Sequence, residues 1–135
     1  MADAVTATTV QDGPRRVIIY CTNTSDGTGE SAVTKVDVSA LETSRNGTTC
    51  TGVRIEKITF TNVGMGVKLL WDATTDVIAA ELPADYSATL DYSDMSGLPN
   101  AAASGGKTGD IQLTTVGHTS GDTYSVVLYC LKDYS

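Results

Sequence analysis

Apolar residues along this chain fall in short runs that are rich in β-branched side chains and close at Gly, Asp, Asn or Pro. That is the pattern of strands separated by turns. "RRVIIYCTN" predicts a first strand centred on Val17, Ile18 and Ile19, and Asp26-Gly27 in the following "NTSDGTGES" is a turn signal. "SAVTKVDVSAL" alternates: Ala32, Thr34, Val36 and Val38 share one face, and Lys35 and Asp37 look outward. A polar loop, "ETSRNGTTCTG", leads to "VRIEKITFTNV". There Val53 and Ile55 hold one parity and Ile58 and Phe60 the other, which implies either a bulge near Lys57 or a strand buried on both faces.

The second half repeats the pattern. "MGVKLLWDA" aligns Val67, Leu69 and Trp71 opposite Lys68 and Asp72. "TDVIAAEL" puts Ile78, Ala80 and Leu82 on one side, and "DYSATLDYSD" gathers Tyr86, Ala88, Leu90 and Tyr92 into a core-facing row. After the longest irregular stretch, residues 93–108, "DIQLTTVG" and "DTYSVVLYCLKDY" close the chain through the turn "HTSG". Eight strands and no convincing helix result, since Pro83 and two threonines confine "VIAAEL" to at most a helical turn. The expected fold is all-β: a single-domain antiparallel β-sandwich, jelly-roll-like, over residues 14–135, preceded by a flexible polar arm at 1–13.

Composition agrees with strands. Charged residues make up 19% of the 135 residues, and Thr, Ser and Gly fill the shortfall. The formal net charge is −7, and the nine basic residues are scattered with no run longer than two. Neutralising several phosphates needs clustered Lys and Arg, so nucleic acid is not an expected partner. Nor is a membrane, because no segment approaches the ~20 apolar residues of a spanning helix. "MADAVTATTVQDG" lacks the basic and apolar regions of a signal peptide. Cys21, Cys50 and Cys130 show neither metal nor redox spacing. Cys21 and Cys130, inside strand-like apolar runs, read as buried free thiols, with pairing between two of the three open if their strands are neighbours.

One stretch suggests chemistry. "SGGKTG", residues 104–109, ends like a phosphate-binding loop, but that motif needs a glycine where Ala101 stands and a helix where "DIQLTTVG" is strand-like. Lys107 therefore reads as a solvated loop charge. The single histidine, His118, sits in a Gly-flanked turn with no nucleophile elbow or Cys–His signature elsewhere, so no catalytic residue is assigned. Carboxylates at Asp26 and Glu30, Asp72 and Asp76, and Asp91 and Asp94 match no calcium-loop order and read as turn formers. No metal or cofactor is expected.

Three stretches carry a likeness when taken together: "DGPRRVIIYCTN", "LLWDATTD" and "GGKTGDIQLTTVGHTSGDTYSVVLYCLKDY". Over most of residues 12–134 the chain resembles small all-β virion structural proteins of tailed bacteriophages, of the capsid decoration or cement type. The resemblance implies a non-enzymatic protein that binds the major capsid protein or other virion proteins as a homo-oligomer, assembled into the virion in the host cytoplasm. A tail, fibre or head–tail junction component, with receptor or glycan binding, is the alternative. Contact surfaces are expected on the arm, through Val5 and Val10, and on the long loop, through Met95, Leu98, Pro99 and Lys107. The arm would add a strand to a neighbour's open sheet edge.

Overall fold

The computed structural model describes residues 4–43, 46–73, 76–95, 97–98 and 109–133. The strands are β1 (Ala4–Asp12), β2 (Arg16–Thr24), β3 (Val33–Val36), β4 (Gly52–Val63), β5 (Gly66–Trp71), β6 (Val77–Leu82), β7 (Tyr86–Asp91), β8 (Ile111–Val116) and β9 (Thr123–Asp133). Two 3₁₀ turns, Val38–Ala40 and Ser93–Met95, are the only helical elements among the described residues.

All strand pairs are antiparallel. One sheet has the order β1-β2-β9-β4-β7 and the other β3-β8-β5-β6. The pairs β2·β9, β3·β8, β4·β7 and β5·β6 nest inside one another, as if one long hairpin had been rolled up. Contacts β4·β9 and β5·β8 then close the two sheets, which gives the jelly roll. Eight of the nine strands among the described residues are those that the alternation predicts.

The core lies between the sheets. Val17, Ile19, Ile55, Ile58, Phe60, Val126 and Leu128 from one sheet meet Val67, Leu69, Trp71, Leu82, Ile111 and Leu113 from the other. The change of parity in β4 is a bulge: Glu56 is the extra residue between Ile55, opposite Cys130, and Lys57, opposite Tyr129. Cys21 and Cys130 are on neighbouring strands but face Val126 and Val17 respectively, and all three cysteines are free thiols.

Four expectations change. The segment read as an arm contains β1, which pairs with β2 of its own sheet and bulges at Val10. Its side chains show no buried row because β1 overhangs the opposing sheet, so backbone pairing alone defines it. Lys35 does not look outward. It is the extra residue of a bulge between Thr34, opposite Gln112, and Val36, opposite Ile111, and it turns inward beside Val36. A similar irregularity, which passes over Ala79, puts Ile78 on the solvent side although Ala80 and Leu82 are buried. Tyr86, expected in the core, is 57% exposed, because β7 is an edge strand and the ring only leans on Phe60, with centroids 6.2 Å apart.

Candidate functional site

Strand directions bring four connections to one end of the sandwich: residues 25–32, 64–65, 83–85 and 117–122. Hydrogen bonds join them into one block. Ser25 N donates to the Asp122 carbonyl at 2.7 Å, and Gly121 N donates to the Ser25 carbonyl at 2.8 Å. Asp122 also accepts from Thr119 N at 2.8 Å and from its hydroxyl at 3.0 Å. Gly64, with φ +85°, presses against the Asp122 carboxylate where a Cβ would overlap it, and its N–H donates to Asp85 Oδ1 at 2.8 Å. Asn62 holds the 83–85 turn from beneath, with Nδ2 donating to the carbonyls of Leu82 (3.2 Å) and Pro83 (3.1 Å).

Under this block lies a buried polar cluster that sequence periodicity did not reveal. Glu30 is its centre. Oε1 accepts from Asn23 Nδ2 at 2.7 Å and from the Tyr124 hydroxyl, and Oε2 stands 2.6 Å from Lys35 Nζ. The backbone of Glu30 is fixed as well: its N–H donates to Thr115 Oγ1 at 2.8 Å, and its carbonyl accepts from Thr115 N at 3.0 Å. Thr115 Oγ1 is also 3.1 Å from His118 Nδ1, so the histidine joins the cluster's rim and stacks over Gly29. The Lys35 side chain is 2% exposed. Burial first, and the hydrogen bond to Glu30 second, hold the Tyr124 hydroxyl far above its ordinary range, so it stays a donor.

Above the cluster the surface is apolar. Val63, Tyr86 and Val116 are exposed around Pro83 and Ala84. A groove of about 370 Å³ runs between Gly66, Lys68, Glu81, Pro83 and Val116, and another of about 320 Å³ lies between Thr61, Val63, Asp85 and Tyr86.

The contact residues expected from sequence are distributed differently. Val5 and Val10 lie on β1, exposed at 42% and 62%. Met95 ends a 3₁₀ turn at the opposite end of the sandwich. Leu98 is half-buried against the core, and its backbone exchanges hydrogen bonds with Ile55 at 2.7 and 3.1 Å. Pro99, Lys107 and most of the 93–108 loop lie outside the described residues, as does "SGGKT".

Chemistry on the exposed surface is sparse. Among the described residues no three or more His, Cys, Asp or Glu side chains come together as a metal site. Asp26, Asp76 and Asp91 each cap a turn N–H, those of Thr28 (3.0 Å), Ala73 (3.1 Å) and Ser93 (2.9 Å). Burial pushes the Cys21 thiol up to about 11 and Cys130 to about 12, and it raises Cys50, so none is a thiolate near neutral pH. No family model, curated protein or solved structure matches the chain.

Proposed function

We propose that this chain is a structural subunit of a tailed-phage virion, a decoration or cement protein that binds the head surface as a homo-oligomer and turns over no substrate. The observation that carries this reading is the edge strand β1. It is nine residues long, forms the border of the five-stranded sheet, and has no charged or proline residue from Ala4 to Gln11. Soluble monomers normally blunt such an edge with Lys, Pro, bulges or a short strand, because its unpaired N–H and C=O groups template pairing with another chain, and β1 has only the bulge at Val10 near its end. Here the rest of the molecule carries the net charge of −7, which keeps free copies apart, while the edge itself repels nothing. The apolar tip at Val63, Tyr86 and Val116 offers a second contact surface on rigidly tied turns.

Quantitative mass spectrometry of purified particles is the test. A copy number comparable to that of the major capsid protein supports decoration, and a handful per particle refutes it in favour of a tail or junction part. Removing residues 2–12 should abolish particle binding, and unchanged binding would remove β1 from the account. The receptor- or glycan-binding alternative draws on the exposed Tyr20, which lies diagonal to Tyr129 on the outer face of the five-stranded sheet. Binding to a glycan array would favour it.

A further inference from the structure

Glu30 stands between two groups that can react with each other. Lys35 supplies a primary amine 2.6 Å from Oε2, and Asn23 supplies a primary carboxamide whose Nδ2 is 2.7 Å from Oε1. All three residues are buried at the end of the core, and they come from three places: β2, the connection that follows it, and β3 of the opposing sheet. As a stabilising device alone, a buried ion pair is a weak choice, since desolvating both charges offsets most of their attraction. As a reaction site it has the required parts: a nucleophile, an acyl carbon with a leaving group, and one carboxylate within hydrogen-bond reach of both nitrogens.

We propose that Lys35 and Asn23 join in the folded protein through an intramolecular isopeptide bond, with Glu30 carrying the protons. The ammonium proton of Lys35 passes to Glu30 Oε2, which replaces two opposite charges in a dry site by two neutral groups. The free amine adds to Asn23 Cγ. Glu30 relays the proton that Nζ sheds to Asn23 Nδ2, the Cγ–Nδ2 bond breaks, and ammonia departs. Ammonia takes up the remaining proton and leaves as ammonium, so Glu30 ends as the carboxylate it began as. One bond, Nζ–Cγ, replaces another, Cγ–Nδ2. Nothing is oxidised or reduced, and no co-reactant is needed. The chain loses one ammonia and one positive charge.

The surroundings suit such a step. The Thr115 bonds hold Glu30, a residue outside any strand, against the end of β8, so its carboxylate is placed by the framework. Tyr124, kept protonated, donates to Oε1 and orients the carboxylate as a positioning residue. Exclusion of water prevents competing hydrolysis. Amine and carboxamide contact the two oxygens of one carboxylate, at 2.6 and 2.7 Å, so the framework keeps them neighbours. The product would tie the two sheets covalently at the end where the turns gather. It is a single event per chain, and it stands or falls apart from any capsid role.

Intact-mass spectrometry of the full-length, folded protein tests this directly. The expected mass is lower than the sequence mass by one ammonia molecule, and proteolysis should yield a branched peptide that joins the Asn23 and Lys35 segments. Lys35→Arg and Glu30→Gln, checked for folding by circular dichroism, should keep the full mass. Tyr124→Phe should slow the mass loss, followed in freshly synthesised protein from the moment it folds, rather than abolish it, a rate that a purely structural role would leave unchanged. Wild-type protein at its full sequence mass overturns the proposal without reference to any variant. So does an ammonia loss that persists in Lys35→Arg, which would assign it to an asparagine cyclising on its own backbone.

Discussion

The buried thiols make this fold sensitive to alkali, and the size of the effect follows from where they sit. Cys21 and Cys130 face the core between the sheets, and burial lifts them from an ordinary value near 9 to about 11 and about 12. A folded value above the unfolded one means that the folded state holds its proton longer. The associated stability is fully present below pH 9 and is lost as pH rises toward the folded values. Each thiol removes roughly 1–2 kcal/mol per pH unit in that window. Together they remove about 3 kcal/mol by pH 10 and about 5 kcal/mol by pH 11. Against a total of about 5–15 kcal/mol for a domain of this kind, that brings unfolding within reach near pH 11. Urea denaturation followed through Trp71, the single tryptophan, at pH 8, 9, 10 and 10.5 measures the slope. The Cys21→Ala/Cys130→Ala variant should start lower, because cavities are left, yet fall much less steeply from pH 8 to 10, with only the raised Cys50 thiol still contributing. A variant that loses stability over that range as steeply as the wild type would refute the reasoning.

Three further substitutions probe the framework. Asp12→Ala should cost about 3 kcal/mol and raise deuterium uptake across β1, because it leaves the Lys132 ammonium, whose side chain is 0% exposed, with the Glu42 carbonyl but no carboxylate, and releases Glu42 N from Asp12 Oδ2. Gly109→Ala should lower Tm by about 5–10 °C, since Gly109 has φ +87° and a Cβ there would overlap the Thr51 carbonyl oxygen. Asn62→Ala should cost about 1–3 kcal/mol and loosen the 83–85 turn in amide exchange, through loss of both carbonyl contacts.

The core strands were legible in the sequence because each carries one clean inward row, whereas the order that rolls them into two sheets was not. Val17, Ile19 and Cys21 in β2, Val67, Leu69 and Trp71 in β5, and Tyr124 to Cys130 in β9 alternate without interruption, and all are buried. Even the Glu56 bulge left a trace, since it moves apolar residues from one parity to the other. The edges were not legible. β1 has no buried row to announce it, and Tyr86 obeys the alternation of β7 at a point where the opposing sheet no longer covers it.

The polar cluster escaped for a different reason. Alternation assigns Lys35 to solvent, and a single inserted residue between Thr34 and Val36 reverses that assignment without changing any apolar position. A bulge that shifts a lysine therefore leaves no mark in the hydrophobic pattern, unlike the one in β4. Its partners add nothing locally: Asn23 ends a β-like run as a turn former does, Glu30 lies in a Gly-rich connection, and Tyr124 is ninety-four residues from Glu30. Each has an ordinary local explanation, and only their convergence sets them apart. Once Lys35 is inside, however, electrostatics demands the rest. A buried ammonium needs a carboxylate, and a buried carboxylate needs compensation at both oxygens: Asn23 and Tyr124 donate to Oε1, and the Lys35 ammonium pairs with Oε2. The same satisfaction of charge places an amine and a carboxamide on one proton carrier, so the requirement that makes the cluster tolerable in the core is also what makes it reactive.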